Sequence, residues 1–175
     1  MTRVTPHAGA EHGQDAVNAA KQFDVLIEDN RWMEAFISAP GGATGFAAEC
    51  RTAAATLERA LVGGAALLLA DDETLADLNR RFRNIDKPTN VLSFPSAADG
   101  EFLGDIAISY ETCEREADAL GIAFRDHAAH LIVHGLLHLV GYDHEADDDA
   151  NEMENLETRI LAALGVADPY APEPR

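Results

Sequence analysis

The chain has 175 residues, 47% of them hydrophobic, and a formal net charge of −18. That length and apolar content suit one domain with a sizeable core, while the acidic balance disfavours a general nucleic-acid-binding surface, because the averaged field repels phosphates. The two cysteines, Cys50 and Cys113, have no CxxC spacing and read as part-buried thiols of a reducing compartment, not as a disulfide framework.

Residues 1–21 are small and polar and are expected to form a flexible N-terminal tail without the apolar stretch of a secretory signal. A single domain is expected over 22–166, followed by a flexible, Pro-rich C-terminal tail over 167–175. No apolar run approaches the roughly 20 residues that a bilayer-spanning helix needs, so a soluble, cytoplasmic protein without membrane contact is expected.

Within the domain, FDVLIED (23–29) alternates Phe23, Val25 and Ile27 with Asp24, Leu26 and Glu28, the pattern of a strand. The breakers of APGGATG (39–45) precede FAAECRTAAATLERAL (46–61), an Ala-rich helix that Gly63 and Gly64 should end. AALLLA (65–70) reads as a buried strand. DDETLADLNRRFR (71–83) opens with acids suited to a helix N-terminus and gives Leu75, Leu78 and Phe82 helical spacing. NVLSFPS (90–96) and LGDIAISY (103–110) are β-rich runs joined by a hairpin-type turn at Asp99 and Gly100. Three helices follow: ETCEREADALG, ending at Gly121; RDHAAHLIVHGLLHLV, long, apolar and stopped by Gly141; and DDANEMENLETRILAALG, with Met153, Leu156, Ile160 and Leu164 on one face. This order predicts an α+β fold in which helices pack on a small mixed β-sheet.

The stretch HGLLHLVGYDH (134–144) carries the chemistry. On a helix, His134 and His138 lie one turn apart on one face, so both imidazoles can reach one metal ion. Gly141 permits a tight turn that returns His144 as a third ligand. Three histidines with no cysteine nearby fit an open, catalytic zinc site better than a closed structural one. His130 extends the stripe by another turn, about 6 Å along the axis, and reads as structural or as a partner of a ligand. His127, His7 and His12 read as structural. Asp143 suits either accepting a histidine N–H or capping the next helix. In the HExxH pattern of zinc proteases a Glu beside the first His is the general base; here that position is Gly135, which weakens a peptidase reading.

Upstream, Arg80, Arg81, Arg83 and Lys87 crowd into RRFRNIDK. The cluster suits either a solvated helix C-terminus or a phosphate-binding patch, for which arginine offers bidentate hydrogen bonds. Ser93 and Asp105 are expected near the cleft, without assigned roles. The acidic run EADDDANEMENLE (145–157) reads as a solvated face at a helix N-terminus.

The stretches LNRRFRNIDKPTNVLSFP (78–95), LGDIAIS (103–109) and HGLLHLVGYDH, with the helix containing MENLE, together resemble the YbeY family of bacterial endoribonucleases, or rRNA maturation factors, over roughly residues 23–165. The resemblance implies a single catalytic domain with a metzincin-like zinc site on a central helix. It implies metal-dependent cleavage of single-stranded rRNA in 16S rRNA 3′-end maturation and ribosome quality control, with the small ribosomal subunit and its proteins as partners. Carried over, it places the metal ligands on His134, His138 and His144 and the functional arginine on Arg83. In the phosphate-binding reading of the basic cluster, Lys87 is a second substrate-binding cation. Phe82 and Asn84 depart from the Tyr and Gly frequent in the family. Two alternatives stay open: a non-enzymatic ribosome-assembly factor with structural zinc, and a zinc hydrolase acting on another substrate.

Overall fold

Residues 23–97 and 101–171 are described by a computed structural model; the expected N-terminal tail and the turn at Asp99 and Gly100 lie outside them. Four strands form one sheet: β1 (Phe23–Ile27), β2 (Gly64–Ala70), β3 (Val91–Pro95) and β4 (Phe102–Ser109), in the spatial order β1-β2-β4-β3. β1 and β4 both run parallel to β2, and β3 pairs antiparallel with β4 along the outer edge. The sheet is therefore small and mixed, as the pattern of elements predicts.

Strand alternation gives the sheet two different faces. Leu67, Leu69, Ile106 and Ile108 point into the larger core, against α2 (Gly42–Leu57) and α5 (Phe124–Leu139). Leu92, Ala107 and Ala70 point the other way, into a smaller cluster with Leu75 of α3 (Asp72–Arg83). α5 is the central helix: ten of its sixteen residues are buried, which explains its apolar character all round. α4 (Tyr110–Leu120) and α6 (Asp147–Ala163) flank it. Among the described residues, no helix is long and apolar enough to cross a membrane.

The element boundaries differ from the sequence pattern where glycine and buried aromatics intervene. α2 begins at Gly42, inside the expected breaker segment, because Gly41 turns left-handed at φ 73° and the glycine at 45 leaves room beneath Pro40, whose carbonyl oxygen would lie 2.1 Å from a Cβ there. α2 stops at Leu57, since Glu58 is extended, and Gly64 opens β2. A short helix, α1 (Arg31–Ala35), has no amphipathic repeat long enough to show in the sequence; it buries Trp32, whose indole N–H donates to the Ala70 carbonyl at 2.9 Å. α3 starts as its acids predict: Asp71 caps it by accepting from the Thr74 N–H at 2.8 Å. It ends on Asn84 at φ 56°, the left-handed conformation that glycine also supplies, so an asparagine here keeps the turn a glycine would make.

Candidate metal centre

α5 lies unusually close to the sheet at Gly135. A Cβ there would meet Ile106 Cγ2 at 2.8 Å and Ser93 Oγ at 3.3 Å, and the Ser93 hydroxyl donates to the Gly135 carbonyl at 3.2 Å. The missing glutamate therefore has a packing reason: position 135 faces strands, not solvent. His134 and His138 project beside this contact. The helix ends at Leu139, and Gly141 adopts φ 97°, which lets the chain double back. His144 returns to the histidine pair, its ring centroid 5.6 Å from that of His134 and 5.2 Å from that of His138.

The hydrogen bonds around the pair define its protonation. His134 Nδ1 lies 2.6 Å from Glu157 Oε1, and His138 Nδ1 lies 2.8 Å from the Tyr142 carbonyl oxygen. Both partners are acceptors, so each imidazole carries its proton on Nδ1 and turns the lone pair of Nε2 inward. The two Nε2 atoms stand 3.0 Å apart. Two lone pairs aimed at one another repel, whereas two ligands at about 2.0–2.1 Å from a tetrahedral ion are about 3.3 Å apart. The ligand atoms of His134, His138 and His144 all fall within 4.8 Å of one another. Burial, followed by the neighbouring His134, pushes the His138 imidazole below its ordinary pKa, which favours the neutral form that binds metal. The donor set thus fits a divalent ion with an open coordination position.

The ligand atoms of a second cluster, His130, His134 and Glu157, also lie within 4.8 Å of one another. Its 2.6 Å contact between His134 and Glu157 is a direct hydrogen bond, which leaves no room for an ion between them. Burial alone would raise the Glu157 carboxyl, but donors from His130, His134 and Tyr170 outweigh it and hold the group at about 2. Glu157 is therefore an ionised carboxylate inside the protein, 0% exposed.

This corrects the reading of 145–157 as a solvated acidic face. Asp147, Asp148 and Asp149 do occupy the exposed first turn of α6, but Glu157 faces the core. The signal lies in the helical spacing: Glu157 is four residues after Met153 and three before Ile160, both buried, so it shares their stripe. Asp143 does not cap the next helix, and it binds His144 through the backbone, not the ring. Its carboxylate accepts the backbone N–H of His144 at 2.7 Å, the His144 ring nitrogen is 3.6 Å away, and Ala146 occupies the N-cap of α6.

The histidines open into a cleft of about 610 Å³ that Arg83, Asn90, Ser93, Asp143 and Glu145 also line. Arg83 comes from the end of α3, on the opposite face of the sheet, and meets the cleft at the open edge of β3, where its guanidinium approaches the Ser93 carbonyl at 3.4 Å. Lys87 is exposed and does not line the cleft; its carbonyl accepts from the Asn79 side chain at 2.9 Å. Arg80 and Arg81 pair with Asp77. Ser93 is in the cleft as expected, but Asp105 is not, because it stands opposite Phe94 on the other face of the sheet. His127 is structural, its Nε2 lying 2.6 Å from Glu116 Oε2.

Known proteins resemble this chain in fold or in sequence. The solution structure of TM1509, a Thermotoga maritima protein, superimposes with a TM-score of 0.53 over 86% of this chain and 99% of its own, at 19% identity, a likeness of fold. A Methylocella silvestris protein named Endoribonuclease YbeY is 60% identical over 107 residues, covering 59% of this chain; the match spans 61% of that relative's length. A Rhodopseudomonas palustris protein of the same name is 47% identical over 168 residues, covering 90% of this chain and 86% of its own length. The family model described as Endoribonuclease YbeY matches residues 47–165, the span that holds Arg83, the three convergent histidines and Glu157. The chain belongs to the YbeY family.

Proposed function

We propose that this chain is a metal-dependent endoribonuclease that cuts single-stranded RNA, acting in the cytoplasm on the 3′ end of 16S rRNA and in ribosome quality control, with the small ribosomal subunit and its proteins as partners. The observation that carries the reading is the shared cleft, in which three convergent imidazoles face a guanidinium. His134, His138 and His144 would hold the ion, and three neutral imidazoles with an open position suit zinc. When bound, such an ion lowers the pKa of water and polarises a phosphoryl oxygen.

The remaining work belongs to the side chains. Arg83 binds non-bridging phosphate oxygens and offsets the negative charge that grows as the phosphorus becomes pentavalent. β3 pairs with β4, and the Ser93 carbonyl accepts from the guanidinium at 3.4 Å, which ties Arg83 to this strand. Lys87, outside the cleft, meets a phosphate further along the strand. The names of the relatives support RNA as the substrate. The packing of Gly135 on Ile106 counts against peptide hydrolysis, since the glutamate base of that chemistry has no space there.

The test is cleavage of a defined single-stranded rRNA fragment by the purified protein, with and without chelator, beside His134→Ala and Arg83→Ala. Chelation and His134→Ala should abolish cleavage, and zinc should restore it to the chelated wild type. Arg83→Ala should lower kcat/KM by about 10²–10³-fold while zinc stays bound. Cleavage that persists in both variants would refute the reading. A metal-free protein that unfolds, from a wild type that never cuts, would instead favour an assembly factor with structural zinc.

A further inference from the structure

The segment after α6 does more than end the chain. Gly165 turns left-handed at φ 75° and closes the helix. Asp168 then accepts from the Thr158 hydroxyl of α6 at 3.1 Å and from the backbone N–H of Tyr170 at 2.9 Å. These two bonds aim Tyr170 back toward α5. Its ring packs edge-on against His130, with centroids 5.6 Å apart, and its hydroxyl donates to Glu157 Oε2.

The donors converge on Glu157, with His130 Nε2 shared between the Tyr170 oxygen and, at 3.5 Å, Glu157 Oε2. With the Tyr170 proton given to Glu157, the phenol oxygen accepts from His130 Nε2, 3.2 Å away. Glu157 Oε1 then accepts from His134 Nδ1 at 2.6 Å, and the lone pair of His134 Nε2 is left facing His138. Without the Tyr170 hydroxyl, Glu157 Oε2 would keep only its longer contact with His130 Nε2, at 3.5 Å, and would lose the short bond that fixes its rotation beside His134. Tyr170 lies beyond residues 47–165, the part matched by the family model.

We propose that Tyr170 is a positioning residue of the metal centre: through Glu157 it holds the His134 imidazole in the tautomer and orientation that presents Nε2 to the ion. The proposal rests on the reading of His134, His138 and His144 as metal ligands. It predicts that metal affinity depends on a hydroxyl that touches no ligand, because the partner of a ligand's second nitrogen governs affinity by about 10–100-fold.

The experiment uses the full chain, Zn²⁺ competed against a chromophoric chelator, and long-range ¹H–¹⁵N spectra of the histidine rings in the metal-free protein. Tyr170→Phe keeps the ring and removes one proton; zinc Kd should rise about tenfold, and Glu157→Gln should raise it by up to about a hundredfold. In the metal-free protein, His134 should appear as the Nδ1–H tautomer in the wild type and as a mixture in Tyr170→Phe. Asp168→Ala, which frees the segment without touching Glu157, should shift both readouts in the same direction, and it decides the case should Tyr170→Phe misfold. Wild-type zinc affinity together with an unchanged His134 tautomer in the variants would overturn the proposal. A wild type that binds zinc no better than His134→Ala would sink the ligand reading instead, and the tautomer spectra would still decide the positioning role.

Discussion

Replacing Gly135 with alanine tests why the helix and the sheet meet where they do. The added Cβ would stand 2.8 Å from Ile106 Cγ2 and 3.3 Å from Ile106 Cδ1. Ile106 is 1% exposed and β-branched, so its Cγ2 cannot swing aside and the strand or the helix must shift. Overpacking of this kind costs about 1–3 kcal/mol, offset by the roughly 0.5–1 kcal/mol that alanine gains over glycine inside a helix. The net destabilisation should be up to about 2.5 kcal/mol, or a fall in Tm of up to about 10 °C for a domain of this size. Differential scanning calorimetry of the metal-free protein measures it directly. A variant that melts at or above the wild-type temperature would refute the packing argument, and with it the explanation for the missing glutamate. Gly135→Glu should be worse, since it adds a carboxylate against buried isoleucine.

Two further outcomes follow from groups away from the cleft. Burial raises the Asp72 carboxyl, but hydrogen bonds from Ser109, Thr112 and Arg115 outweigh it and hold the group below the ordinary carboxylate range. A carboxylate depressed in the folded state stabilises the protein above its unfolded pKa of about 3.9, and that contribution is lost as pH falls through the lower, folded value. Asp72→Asn should therefore lower the urea midpoint at pH 7, and the gap from wild type should shrink as the pH falls below about 4; a gap independent of pH would refute it. Burial also pushes the Cys50 thiol up to about 12 and raises Cys113 as well, and both are free. Neither should react with a thiol-disulfide reagent in the native protein, and both should react in urea; rapid native labelling of either would contradict their placement in the core.

Much of the fold was readable from local signals. The strands at 23–29, 65–70, 90–96 and 103–110 and the helices that follow appear within a few residues of their expected positions, because alternation, capping acids and terminal glycines act over short distances. α1 leaves no mark in the sequence pattern because a five-residue helix shows no periodicity, and its existence rests on where Trp32 is buried. The pairing of His134 with His138 is likewise local, since four residues make one turn of helix. Glu157 was readable in its spacing and was masked by the acidic composition around it.

What the sequence determines by itself is therefore the set of elements and the one-helix geometry of the histidine pair. Both follow from backbone periodicity, which neighbouring residues define among themselves. The tertiary structure decided the rest. Arg83 and the histidines share a cleft only because β3 is an edge strand, around which a side chain from α3 can meet the other face of the sheet. Glu157, Tyr170 and Gly135 acquire their roles from what lies opposite them: His134, Glu157 and Ile106 respectively. A contact between residues distant in the chain depends on how whole elements pack, and no local pattern encodes that.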